Sequence, residues 1–213
     1  IINKYANKSG VTKGLYAPSE AGKIFRYWFN ENGSNGTNHI RYSISALSNI
    51  YDRPFIWKNL NLSFQIKFIN QIFKKPFFIF LNRDLRFVCQ SIYLNTINSE
   101  GININGLNKS HVVDGNDTLE NIISKVFSID KAIRNDLQMY SNNYIEINYT
   151  DLCNDPDETL NSISSSYNKL QPTQKNILPT KINKITETKD VKLAVDKWNH
   201  LETLLADRYE NIN

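Results

Sequence analysis

Phe77-Phe-Ile-Phe-Leu81 is a continuous apolar run of strand length, preceded by Lys74-Lys-Pro76 and followed by Asn82-Arg-Asp84. A strand that is apolar at every position predicts burial on both faces, as in the middle of a parallel sheet covered by helices on each side. The flanking pattern extends this reading. Pro54-Phe-Ile-Trp-Lys58 is a second, shorter apolar run, and between the two Leu62, Ile66, Ile69 and Phe73 fall on one helical face, with Lys74-Lys-Pro ending that helix. Strand, helix and strand with short connections predict a βαβ unit with a right-handed crossover. After the Phe77 run, a helix from about Asp84 to Ile97 turns Leu85, Phe87, Val88 and Ile92 inward. Open α/β sheets bind ligands at such a junction, where a strand's carboxyl end meets a helix N-terminus.

The rest of the chain fits the same class. Residues 1–15 are polar and read as loop, and Pro18–Phe29 reads as the start of a helix, with Ser19 as cap and Glu20 in its first turn. Residues 30–38 are a Gly- and Asn-rich loop, followed by a helix over His39–Tyr51. A polar loop is expected over 100–117. Thr118–Tyr140 is a helix by the periodicity of Leu119, Ile122, Ile123, Val126 and Phe127. Tyr144-Ile-Glu-Ile-Asn-Tyr149 alternates apolar and polar residues, which predicts a strand nearer an edge. Asp155 and Pro156 supply a cap and a first helical residue. Residues 168–189 read as loop, and Val191–Asn211 as an amphipathic closing helix with Leu193, Trp198, Leu201, Leu204 and Leu205 inward.

A chain of 213 residues suits one domain, with 40% hydrophobic and 22% charged residues as in an ordinary soluble protein. No apolar run approaches the roughly 20 residues that span a bilayer, so no membrane span is expected in this chain. The formal charge of +4 and a pI near 8.9 favour anionic ligands. The lysines are scattered and no nucleic-acid motif accompanies them, so no nucleic-acid partner is expected. Cys89, Cys153 and three histidines lie in unrelated contexts, which excludes a disulfide framework and argues against a metal site. The sequence opens with Ile-Ile-Asn-Lys and its one Met is Met139, so the N-terminus is expected to be truncated. The compartment stays open, the cytoplasm being favoured, and the oligomeric state is not legible.

The chemistry concentrates at Arg83-Asp-Leu-Arg-Phe-Val-Cys-Gln-Ser91, an Arg at the end of the apolar strand and a Ser eight residues on. A guanidinium offers a planar fork matched to phosphate, and a hydroxyl adds a further bond, so the pair is suited to bracket one phosphate monoester at a helix N-terminus. The structural alternative pairs Arg83 with a carboxylate and leaves Ser91 as an ordinary helix residue. On chemistry alone the two stand level.

Phe77–Ser91 resembles the 3′-phosphate-binding motif of the sulfotransferase family, a hydrophobic strand running into Arg-Asp-Pro-Arg with a Ser at the same spacing; here Leu85 replaces the Pro. Tyr144 to Leu160 is similar to the strand, Tyr-Glu-Asp-Leu and Asp-Pro helix start that follow in that family, and Lys197-Trp-Asn-His-Leu201 resembles its Trp-containing C-terminal segment. The three matches occur in the family's order over roughly residues 54–210. The resemblance implies a three-layer P-loop NTPase-like α/β fold, with a central, mostly parallel sheet flanked by helices. It implies a single sulfotransferase-like domain over residues 1–213 that lacks its N-terminal strand and 5′-phosphosulfate loop. It also implies 3′-phosphoadenosine 5′-phosphosulfate as sulfuryl donor, a hydroxylated and preferably saccharide-like acceptor, and no metal. Arg83 and Ser91 would bind the nucleotide, Lys58 would stabilise charge at the transferred group, and Glu20 would be the acceptor base or an acceptor contact. No His follows Lys58, where the family often has one. Lys8-Ser-Gly-Val-Thr12 resembles the phosphosulfate loop, but Ile1–Ala6 is a poor strand and Gly14 and Pro18 interrupt the helix that should follow.

The rival from another class is a truncated or degenerate nucleotide-binding module without catalysis. A P-loop kinase needs Gly-x-x-x-x-Gly-Lys-Ser/Thr, and a metal-dependent glycosyltransferase a strand-end Asp-x-Asp. Neither occurs here, since Asp155-Pro-Asp157 lies at a helix start.

Overall fold

The computed structural model describes residues 5–6, 12–13, 34–51, 54–56, 58, 63–98, 118–172 and 185–210. The chain divides into two compact units, Ile1–Leu62 and Ser63–Asn213.

In the first unit two short strands, β1 (Tyr5–Ala6) and β2 (Thr12–Lys13), pair antiparallel with Tyr5 opposite Lys13. These residues were expected to be loop. Helix α1 (Ser34–Tyr51) starts inside the segment read as loop, because Ser, Asn and Gly at a first turn cost little where the amide hydrogens lack intrahelical acceptors anyway. His39 therefore lies on a helix, exposed, while Ile40 and Ile44, one turn apart, are buried. The strand expected over Pro54–Lys58 does not form: Pro54, Phe55, Ile56 and Lys58 carry no regular structure, and Ile56 is 79% exposed. A short apolar run signals extended backbone without supplying a pairing partner, and the βαβ unit built on this one falls with it.

The second unit contains the site. Helix α2 (Ile66–Ile72) buries Ile66, Ile69 and Ile72 and is shorter than expected, ending where the Phe73 backbone turns extended. Strand β3 (Phe78–Asn82) leads into helix α3 (Leu85–Asn98), and helix α4 (Leu119–Tyr140) returns the chain to strand β4 (Tyr144–Asn148). β3 and β4 pair in parallel with Phe78 opposite Tyr144 and Asn82 opposite Asn148. A parallel pair requires a long crossover, and here α3 and α4 supply it. The mixed α/β class is thus present, with a two-stranded parallel sheet among the described residues. β3 is not buried on both faces as its composition suggested: Ile79 and Leu81 are 42% and 45% exposed, alternating with half-buried Phe78, Phe80 and Asn82. Arg134 of α4 stacks over Phe80, its guanidinium carbon 4.9 Å from the ring centre, so α4 covers that face.

β4 turns directly into helix α5 (Tyr149–Asn154), and Asp155 begins helix α6 (Pro156–Leu170) by accepting the Glu158 amide at 3.0 Å, with Pro156 in the first turn. Helix α7 (Val195–Glu210) closes the core: Leu201 and Leu205 meet Cys89 of α3 and Leu119, Ile122, Ile123 and Val126 of α4. Trp198 packs at this core, tilted against Phe87 with ring centres 5.4 Å apart. Burial pushes the Cys89 thiol up to about 12, so this cysteine is a core residue with no thiolate chemistry at neutral pH.

Residues 185–194, ahead of α7, lack regular structure and are fastened by one buried side chain. The Gln90 amide donates to the Asp190 carbonyl at 2.8 Å and accepts from the backbone amides of Lys192 and Leu193 at 2.7 and 3.2 Å. Truncation strands these backbone groups. Gln90→Ala is expected to lower the unfolding free energy by about 2–3 kcal/mol in a denaturant titration, and to speed amide exchange at residues 190–193. A second tie joins α7 to the start of α4, where His200 meets Glu120 at 2.7 Å. The Thr118 hydroxyl, and after it His200, draw the Glu120 carboxyl from 4.5 down to about 2. A depressed carboxyl contributes stability above its unfolded value and loses it as the pH falls toward the folded one. Glu120→Gln should therefore cost less than about 1 kcal/mol at neutral pH, the pair being exposed, with the difference shrinking between pH 4.5 and 2 in thermal melts.

Candidate functional site

The carboxyl ends of β3 and β4 open side by side, because the parallel register sets Asn82 opposite Asn148. Around them lies a cavity of about 600 Å³, lined by Asn82, Arg83, Asp84, Leu85 and Phe87 from the first strand–helix junction. Asn148 to Asp151 from the second junction, Asp130 and Arg134 from α4, and Glu187 to Lys189 complete the lining. Its size is that of a small-molecule or nucleotide site, and its position is the one open α/β sheets use.

Arg83 projects from the end of β3. Its guanidinium lies over the Tyr149 ring, 4.8 Å from the centre, and donates to the Thr188 carbonyl at 3.0 Å. Its direct partners are thus a ring face and a neutral carbonyl in place of the carboxylate pair weighed from the sequence, although its charge also acts on the Glu187 carboxylate. Asp84 caps α3 by accepting the Arg86 amide at 2.9 Å. The Arg86 side chain bonds back to Asp84 and holds its carboxyl below the usual range. Arg86 also reaches Glu202 of α7 at 2.8 Å, so it locks the helix start to the core.

The second junction is held by Asn148, whose amide donates to Asp151 at 3.0 Å. Thr150 donates to Glu187, and Lys189 pairs with the same carboxylate at 3.0 Å. The Thr150 hydroxyl, with Lys189, holds the Glu187 carboxyl below its ordinary range. These bonds lay residues 187–189 along the cavity and bring Lys189 into its lining beside Arg83.

Of the residues singled out from the sequence, Arg83 lines the cavity. Ser91 sits on α3, exposed and outside the lining. Lys58 belongs to the other unit, exposed and without strand structure, so it does not end a strand as expected. Glu20 and Lys8 to Val11 lie outside the described residues, and Thr12 begins β2. Sequence reasoning missed Asp130, Arg134 and Lys189. The first two stand one turn apart on a helix as an oppositely charged pair, a visible signal. Lys189 sits in a stretch whose position depends on Gln90, and no local pattern marks it.

Among the described residues no group of His, Cys, Asp and Glu could hold a metal ion, and no helix is long and apolar enough to cross a membrane. A search of curated proteins and a search of solved structures each find no match. The model of the sulfotransferase family matches residues 18–168. That stretch is more than half of the chain and includes both strands of the parallel pair and every cavity wall except Glu187 to Lys189, so the chain belongs to the sulfotransferase family, whose members are transferases.

Proposed function

We propose that this chain binds 3′-phosphoadenosine 5′-phosphosulfate and transfers its sulfuryl group to a hydroxylated, saccharide-like acceptor, on a three-layer P-loop NTPase-like fold. The observation that carries the reading is Arg83, set at the carboxyl end of β3 and lining a cavity of about 600 Å³ together with Lys189. Two cations beside the first turn of α3 suit a phosphate monoester, since charge-assisted bonds to such oxygens are roughly twice as strong as neutral ones. Ser91 is assigned a further contact to that phosphate.

The donor supplies an activated sulfuryl group. Transfer forms a bond from the acceptor oxygen to sulfur and breaks the bond from sulfur to the 5′-phosphate oxygen, leaving adenosine 3′,5′-bisphosphate. Glu20 is assigned the acceptor's proton, and Lys58 the charge that develops on the sulfuryl and bridging oxygens. Arg83 is assigned the direct bonds to the 3′-phosphate, and Lys189 adds positive charge nearby.

Calorimetric titration tests the reading with adenosine 3′,5′-bisphosphate and adenosine 5′-monophosphate. The chain should prefer the bisphosphate by about tenfold or more, and Arg83→Ala should abolish the preference. Ser91→Ala should weaken the bisphosphate by roughly 2- to 10-fold. Equal binding of the two nucleotides, unchanged in Arg83→Ala, would sink the assignment.

A further inference from the structure

Within the cavity the carboxylates are not equivalent. Asp84 is bonded by Arg86, Asp151 stands exposed and accepts from Asn148, and Glu187 is taken up by Thr150 and Lys189. Asp130 differs. Its side chain is only 22% exposed, and one oxygen, Oδ2, accepts Nε of Arg134 at 2.9 Å. The second oxygen has no hydrogen-bond partner among the described residues, although the side chain lines the cavity. Arg134 is fixed in turn: its Nη1 donates to both Glu146 oxygens at 2.9 and 3.0 Å, and its plane lies over Phe80. The sheet thus holds the Arg, and the Arg holds the Asp in one rotamer.

We infer that Asp130 is a specificity residue of this cavity, accepting a hydrogen bond from a neutral N–H or O–H donor on the nucleoside of the bound nucleotide, with Arg134 as its positioning residue. The inference rests on the nucleotide reading above. Charge sorts the ligand along the cavity: a phosphate is attracted by Arg83 and Lys189 and repelled by a carboxylate with an open oxygen, whereas a neutral donor meets Asp130 with no charge conflict. An adenosine 3′-phosphate offers two such donors, the ribose 2′-hydroxyl and the 6-amino group of the base.

The test is a ligand-and-mutant cycle by calorimetry. Adenosine 3′,5′-bisphosphate, its 2′-deoxy analogue and inosine 3′,5′-bisphosphate are each titrated into the wild-type chain, Asp130→Ala and Arg83→Ala. Asp130→Ala should weaken adenosine 3′,5′-bisphosphate by about 10- to 100-fold. For one analogue, wild type and Asp130→Ala should then bind alike, and the analogue that behaves so names the donor. If Asp130→Ala weakens all three ligands equally, Asp130 is only structural and the inference is overturned. It is overturned too if Asp130→Ala binds all three as wild type does; sensitivity to Arg83→Ala in that case leaves the phosphate reading standing. Failure of the wild-type chain to bind the bisphosphate overturns both. Should Asp130→Ala fold poorly in a thermal melt, Asp130→Asn keeps the side-chain volume and should show the same pattern at smaller size.

Discussion

Parallel pairing of β3 with β4 limits where everything else in the second unit can sit. Antiparallel strands can be joined by a tight turn that sets their functional ends at opposite edges. Parallel ones need a crossover, and the two helices that provide it, α3 and α4, carry the core at Cys89, Leu119, Ile122 and Ile123. The same geometry brings two strand ends to one edge. Arg83 leaves the sheet there beside Tyr149, and the contact between the guanidinium and the ring is a direct consequence of the register. A one-residue slip would turn each strand's side chains to the opposite face and separate Arg134 from Phe80.

The elements legible in the sequence were those whose signals are local. The Phe77 run, the periodicity of α4, the alternation of Tyr144 to Asn148 and the Asp155-Pro156 cap each specify backbone conformation within a few residues, and each forms close to where it was expected. What a strand pairs with is not local. Pro54 to Lys58 looked like the neighbour of β3, yet among the described residues β3 pairs with β4, on the far side of two helices. Burial is equally a property of layers: an all-apolar strand shows a demand for covering on both faces, and Ile79 and Leu81 show that the demand is met only in part among the described residues.

The site divides along the same line. Arg83 was legible because its strand and the helix after it were. Lys189 was not, since its place depends on distant residues: Thr150 holds Glu187, and Gln90, about a hundred positions away, bonds the backbone of Asp190 and Lys192, groups that could belong to any residue type. Asp130 and Arg134 could be seen as an i, i+4 pair but not as part of a cavity, because only the stacking on Phe80 and the bonds to Glu146 turn that face of α4 toward the strand ends.

The contact between Arg83 and Thr188 bears on how such a cavity receives an anion. The acceptor is a neutral carbonyl in an exposed segment, so releasing it returns the carbonyl to water at little cost. A phosphate oxygen in its place would form a charge-assisted bond with the same guanidinium, roughly twice as strong. The exchange favours the anion, and Tyr149 beneath the guanidinium restricts the side chain both before and after it. Lys189 faces a different balance, because its partner Glu187 is itself charged and is also held by Thr150. An incoming phosphate competes there with a carboxylate that cannot leave freely, so Lys189 serves better as a nearby positive charge than as a direct bond. On the proposed reading, directional recognition would then rest on Arg83, with Lys189 adding attraction that salt would screen.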